Sequence, residues 1–257
     1  MVFAFDLDRT MIFSKAALEG CMENTVCIEY KGEEDISYMS VDGLLTVIKL
    51  ANAENLVCVP TTTRSIEQFK RVKPFSSFKW VITTNGGVIL HYGKVYEPWD
   101  LVVKSYLKDC YKSLENAIED IKDKDFVLRE PKIVDDTFVF FTTEDKVACS
   151  AYLDSYLDGT SLNYTIQGRK VYIIPKGISK ESAISYIMSL LEETHLVTAG
   201  DGKLDKGMLS MGECGYIPDG SEVLEYISDE DWDAFNYKVV ASNVGAIMDI
   251  SRNLLKE

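Results

Sequence analysis

The strongest constraint on the fold is a set of short, largely apolar runs of about one strand length each. They are Val2–Phe5, Leu56–Val59, Lys79–Ile82, Leu196–Ala199 and Tyr237–Val240. None alternates, and none is long enough to be a helix by itself, so each reads as a strand buried on both faces. Helical patterns lie between them. From Val41 to Ala53, residues Leu44, Leu45, Val47, Ile48 and Ala51 recur on one side, with Ser40 as N-cap. From Lys180 to Glu192 the pattern returns through Ala183, Ile184, Ile187, Leu190 and Leu191, behind Ser179. Strand and helix in alternation predict an α/β fold with a doubly wound parallel sheet.

The middle of the chain has a different order. Between about Val88 and Gln167 the sequence predicts a hairpin around Gly93 and a long amphipathic helix near Leu101–Ile121. Strands at 126–129 and 137–142, a helix at 146–157 and a strand at 162–165 follow. This is an α+β unit inserted into the α/β core, which gives an expected division into a core domain of 1–86 plus 168–257 and a cap domain of 87–167. Two strand-like crossings, near Gly86 and Gln167, would join the units and permit a lid-like motion. A further alternating segment, Thr25–Met39, reads as a hairpin over the carboxyl edge of the core sheet. No internal repeat or low-complexity tract appears.

With 27 Lys plus Arg against 41 Asp plus Glu, the net charge is −14. Nucleic acid and anionic membrane surfaces are therefore not expected partners. The same charge repels a phosphorylated ligand at long range, so a phosphate site must depend on local cations, a metal or backbone N–H groups. The six cysteines form no C-x-x-C pair, and two histidines give no zinc spacing, so reduced thiols are expected. The apolar start lacks a basic segment and runs straight into Asp6, and no apolar run approaches the roughly 18 residues of a membrane span. A cytoplasmic monomer or homodimer is the expectation.

Chemistry-bearing residues cluster just past the strand runs, where open α/β sheets bind their ligands. Asp6 and Asp8 follow the first strand, two carboxylates that can turn toward one pocket and suit a hard cation such as Mg²⁺. Thr61, Thr62, Thr63 and Arg64 follow the second. Lys180 opens a helix, where the N-terminus already favours anions. Asp201 and Asp205 follow the fourth strand within a glycine-containing turn.

In this order, Asp6-Leu-Asp-Arg-Thr10, Thr62-Thr-Arg64, Lys180 and Gly200-Asp-Gly-Lys-Leu-Asp205 resemble the four motifs of the haloacid dehalogenase superfamily. The chain resembles its Cof-type and sucrose-phosphatase-like members, whose large cap lies between the second and third motifs. Thr83-Thr-Asn-Gly-Gly87 is similar to the segment that opens that cap, and Ala241–Gly245 to a late loop near the site. The resemblance implies a Rossmann-like core and a phosphatase that hydrolyses a small phosphorylated metabolite, such as a sugar phosphate. Asp6 would attack phosphorus and Asp8 would act as general acid and base. Thr62 and Lys180 would bind phosphate. Mg²⁺ would be held by Asp6, the Asp8 carbonyl and Asp201, with Asp205 in support.

Arg9 and Thr63 stand where many relatives have glycine. Arg9, Arg129, Lys132, Arg169 and Asn243 are candidate contacts for the rest of the substrate. A sugar phosphomutase shares the same motifs, and a binding or regulatory protein with a silent site is a more distant alternative.

Overall fold

The computed structural model describes residues 1–18, 22–76, 78–242 and 245–255. Its central sheet is parallel, ordered β14-β13-β12-β1-β4, where β1 is Val2–Phe5, β4 Val57–Pro60, β12 Leu196–Ala199, β13 Cys214–Pro218 and β14 Tyr237–Val240. β5 (Trp80–Thr83) extends the sheet beyond β4 through a parallel bridge between Thr61 and Ile82. All five expected strands are present within a residue or so of their expected bounds. β13 was not anticipated, because Gly215 and Pro218 give Cys214–Pro218 the look of a turn.

The helices flanking this sheet begin where the sequence places caps. The Ser40 hydroxyl accepts from Gly43 N at 3.0 Å and starts α1 (Val41–Ala51). Ser179 and Ser182 form a reciprocal box at the start of α5 (Lys180–Leu190). With α8 (Ala246–Leu254), α1 covers one face of the sheet, while α5 lies among the buried residues of the other. The architecture is α/β, as expected, with further antiparallel sheets attached.

The largest of these antiparallel sheets has the order β10-β11-β9-β8, with β8 Val127–Val134, β9 Phe138–Thr143, β10 Leu162–Gln167 and β11 Lys170–Pro175. The long helix α3 (Glu97–Ile121) packs against it, and α4 (Lys146–Tyr156) against β10. At the two ends of the middle segment, strand pairing sets sheet membership: the first hairpin joins β5, and the last strand joins β9 and β10. β6 (Val88–His91) and β7 (Lys94–Val95) pair with β5, so the hairpin at Gly93 extends β5 instead of joining the inserted sheet. At the other end β11 pairs with both β10 and β9, so the inserted sheet runs past residue 167 to Pro175.

The root of the insert is packed tightly. One hydrophobic cluster runs from Val2 and Ala4 through Trp99 and Val103 to Phe141 and Leu153. Trp99 Nε1 donates to the Gly86 carbonyl at 2.9 Å. At the far end, the Asp135 carboxylate in the β8–β9 turn accepts from Ile66 N at 2.9 Å and from the Thr84 hydroxyl at 2.6 Å. These bonds tie the antiparallel sheet to two loops of the parallel core. The expected hairpin is also present, as β2 (Thr25–Lys31) and β3 (Glu34–Ser40). Among the described residues no helix is long and apolar enough to cross a membrane.

Candidate active site

Parallel pairing aligns the ends of three adjacent strands. Phe5 stands opposite Pro60 on β4 and Ala199 on β12. The next amides continue the ladder, with Asp6 N donating to Ala199 O at 2.9 Å and Thr61 N to Phe5 O at 2.7 Å. Asp6 thus emerges between the threonine turn and the Gly200–Asp205 loop, although 55 residues and about 195 residues of chain separate it from them.

Behind this edge the loops are bonded to one another. Asn85 N donates to Thr62 O and Thr84 N to Arg64 O. Thr84 and Asn85 both have left-handed backbone (φ 55° and 54°), and so does Gly86 (φ 96°). A Cβ at Gly86 would collide with the Ser179 carbonyl, so glycine is needed for this turn to lie against the start of α5.

That close packing brings Lys180 into the centre. Lys180 is buried, and its Nζ donates to Asp6 Oδ1 at 2.7 Å and Asp205 Oδ1 at 2.6 Å. The other Asp205 oxygen accepts from the amides of Asp201 and Gly202, at 3.1 and 2.9 Å. Oxygens of Asp6, Asp201 and Asp205 all lie within 4.8 Å of one another. All three acids are buried, and among the described residues the one cation in contact with the group is Lys180, paired with Asp6 and Asp205. Burial pushes the Asp6 carboxyl up to about 7 against the pull of Lys180, and Asp205 and Asp8 add to the rise. Burial and the neighbouring Asp6 and Asp205 likewise raise Asp201 well above the usual carboxylate range. Three buried carboxylates facing one ammonium leave a surplus of negative charge and a set of hard oxygen donors, which fits Mg²⁺.

Asp8 belongs to a second cluster. Arg64 grips it in a two-point pair, Nε to Oδ2 at 2.7 Å and Nη2 to Oδ1 at 2.8 Å. Burial alone would raise the Asp8 carboxyl, but Arg64 overcomes this and holds it below the usual range. Arg64 in turn bonds the fully buried Glu29 at 2.8 Å, and Glu29 also accepts from Arg71 at 3.2 Å and Ser37 at 2.7 Å. Glu29 and Ser37 come from the β2–β3 hairpin. No local pattern singles out Glu29, since an acid on an alternating strand ordinarily faces solvent.

Two cavities meet at Asp8, Thr63, Phe140 and Lys170, with volumes of about 520 and 540 Å³. The larger holds Asp6, Lys180, Asp201 and Asp205 together with Arg9, Arg129 and Arg169. Arg9 has φ 63°, a left-handed backbone that ordinarily favours glycine. Arg169 is exposed and paired with Glu144 at 2.9 Å. Lys132 lines the other cavity. Thr62 closes the turn after β4. It is fully buried and lines neither cavity, because its Oγ accepts from Arg64 N at 3.2 Å and closes the turn, whereas Thr63 lines both. Lys170 and Tyr172 are not singled out by the sequence, where no motif marks either position. Asn243 lies outside the described residues.

A family model described as haloacid dehalogenase-like hydrolase matches residues 101–217. No curated protein sequence matches the chain. Among solved structures, the sucrose-phosphatase of Synechocystis sp. PCC6803, in complex with sucrose and phosphate, is similar over 98% of this chain and 97% of its own, with 15% identity and a TM-score of 0.68. A haloacid dehalogenase-like hydrolase from B. subtilis is similar over 99% and 98% of the two chains, with 13% identity and a TM-score of 0.61. A sugar phosphatase of haloacid dehalogenase subclass IIB is similar over 99% and 98%, with 14% identity and a TM-score of 0.57. At these identities the likeness is one of fold, and it extends along the whole chain. A haloacid dehalogenase-like hydrolase model thus matches the middle of the chain, residues 101–217, and the fold of the whole chain is similar to those of haloacid dehalogenase-like structures, the sucrose-phosphatase among them.

Proposed function

We propose that the protein is a Mg²⁺-dependent phosphatase that hydrolyses a small phosphomonoester, a sugar phosphate or related metabolite, through an aspartyl phosphate on Asp6. The observation that carries this reading is the buried set of Asp6, Asp201 and Asp205 around Lys180 at the carboxyl edge of the sheet. Bound there by Asp6, Asp201 and the Asp8 carbonyl, with Asp205 in support, Mg²⁺ would neutralise the surplus charge and admit a phosphate dianion.

The side chains divide the remaining work. An Asp6 oxygen attacks phosphorus, the bond to the leaving oxygen breaks, and Asp8 delivers the proton that oxygen needs. Asp8 then takes a proton from water as the water attacks the aspartyl phosphate, which frees inorganic phosphate and restores Asp6. Arg64 keeps Asp8 ionised in the resting protein. Arrival of a phosphate dianion beside Asp8 favours its protonation, as any neighbouring negative charge does. Lys180 neutralises charge on Asp6 and on the phosphoryl group. Thr63, from the cavity wall, hydrogen-bonds the phosphoryl oxygens, and Thr62 closes the turn that presents it.

The test is phosphate release from sugar phosphates and an aryl phosphate, with and without Mg²⁺, in the wild type and Asp6→Asn. Mg²⁺-dependent turnover that vanishes in the variant is the expected result. Release that persists in Asp6→Asn, or proceeds equally after chelation, would overturn the reading.

A further inference from the structure

The second cavity, the one without Asp6, begins where the Asp8 carboxylate ends and runs between the β2–β3 hairpin and the inserted sheet. A leaving group departs on the side of phosphorus opposite the nucleophile and beside the acid that protonates it. On the phosphatase reading, this places the leaving group at the mouth of that cavity.

The charges around the cavity are unequally committed. Its acids are Asp8, Glu29, Glu67 and Asp135. Asp8 and Glu29 are held by Arg64 and Arg71, Glu67 lies 3.7 Å from Arg71, and Asp135 accepts from Ile66 N and Thr84. Its three lysines, Lys31, Lys132 and Lys170, have no carboxylate within 4.0 Å among the described residues. Strand register explains how two of them converge. Lys132, Phe140 and Tyr172 form one cross-strand row, and Lys170 stands opposite Thr142 in the next row. Lys31 comes from the opposite wall, at the tip of the hairpin. Between the lysines lies an aromatic surface, with the Phe140 and Tyr172 rings 5.4 Å apart. In a chain of net charge −14, unpaired cations gathered on both walls of one cavity oppose the global repulsion of anions at this point.

We propose that this cavity selects phosphomonoesters whose leaving group carries an oxyanion of its own, a carboxylate or a second phosphate, held by Lys31, Lys132 and Lys170 against the Phe140–Tyr172 surface. This rests on the phosphatase reading for the place of the leaving group, but not for the binding itself.

Three esters of one small skeleton test it: glycerol 3-phosphate, 3-phosphoglycerate and propane-1,3-diol bisphosphate. Binding is measured calorimetrically with Mg²⁺ present, on Asp6→Asn, so that turnover plays no part. The expected result is that at least one of the two esters with an added anion binds about tenfold more tightly than glycerol 3-phosphate. That advantage should shrink to within about threefold when Lys132→Gln and Lys170→Gln are added. Which of the two gains more distinguishes carboxylate from phosphate. The exposed Lys31→Gln, tested alone, should reduce the advantage even if the double lysine change disturbs folding. Equal binding of all three esters, or an advantage that survives every lysine change, overturns the proposal. Phosphate release from the same esters by the wild type is the separate arm. No release from any of them, with the anion preference intact, would count against the phosphatase reading and leave this inference standing.

Discussion

Two ionic clusters lie side by side at the carboxyl edge of the sheet, fed by acids only two residues apart, and they are built on opposite principles. Around Lys180 three buried carboxylates share one cation. Around Arg64 and Arg71 two carboxylates, Asp8 and Glu29, meet two cations with well-aligned bonds. The second cluster balances these charges, and among the described residues only the exposed Glu67, 3.7 Å from Arg71, adds to it. The first is open. Burial raises Asp6 and Asp201, which shows that the protein alone does not stabilise their ionised forms. Balanced buried charge fixes positions, whereas unbalanced buried charge creates demand for a cation, at a cost to the stability of the metal-free protein.

The sharpest way to break the contrast is to remove the single cation of the open cluster. Lys180→Met should destabilise the metal-free protein by about 3–5 kcal/mol, because it leaves buried charge uncompensated. Denaturant unfolding measures this, and a loss comparable to that of an ordinary surface lysine would contradict the description. Removing one charge from the balanced cluster should cost less. Glu29→Gln keeps the shape but weakens bonds to Arg64 and Arg71, with an expected loss of about 1–3 kcal/mol. It should also lower kcat without raising KM in proportion, since Asp8 is then held less firmly; equal kcat would mean that Glu29 serves the hairpin alone.

The pH dependence of the open cluster sharpens the comparison further. The folded-state Asp6 carboxyl, at about 7, lies above its ordinary value of 3.8, so between these values the native state binds more protons than the unfolded chain. Stability of the metal-free protein should therefore fall as pH rises through this window. Mg²⁺ affinity should rise over the same range, as the metal competes with the proton for Asp6. Thermal melts with and without Mg²⁺ across this window read both slopes, and metal-free stability that increases with pH would refute the assignment. The smallest effect belongs outside both clusters. Arg169→Ala breaks an exposed pair with Glu144 and should cost no more than about 0.5 kcal/mol by the same unfolding assay.

Much of the site is legible in the sequence because it is written locally. A strand buried on both faces leaves no choice but an unbroken apolar run, so Val2–Phe5 and Leu196–Ala199 announce themselves, and with them the acids that follow. Ser40 and Ser179 mark their helices by the same kind of local chemistry. β13 was missed because its glycine and proline carry the signals of a turn, and those signals are overruled only by its pairing with β12 and β14. That the hairpin at Gly93 joins β5 and that β11 joins β9 is not legible either, because a strand's membership in a sheet is decided by its partners, which can be distant in sequence.

The sequence by itself determined the parallel core, the order of the four motifs and the residues at the ends of the strands. Strand burial and helix capping act over a few residues and leave their pattern in the chain. Only the tertiary structure decided which of those charges face one another. The hairpin brings Glu29 under Arg64, the turn at Gly86 seats Lys180 between Asp6 and Asp205, and the inserted sheet sets Lys132 and Lys170 across from Lys31. Electrostatic partnership depends on distances of a few ångströms between residues far apart in the chain, and no local pattern encodes those distances.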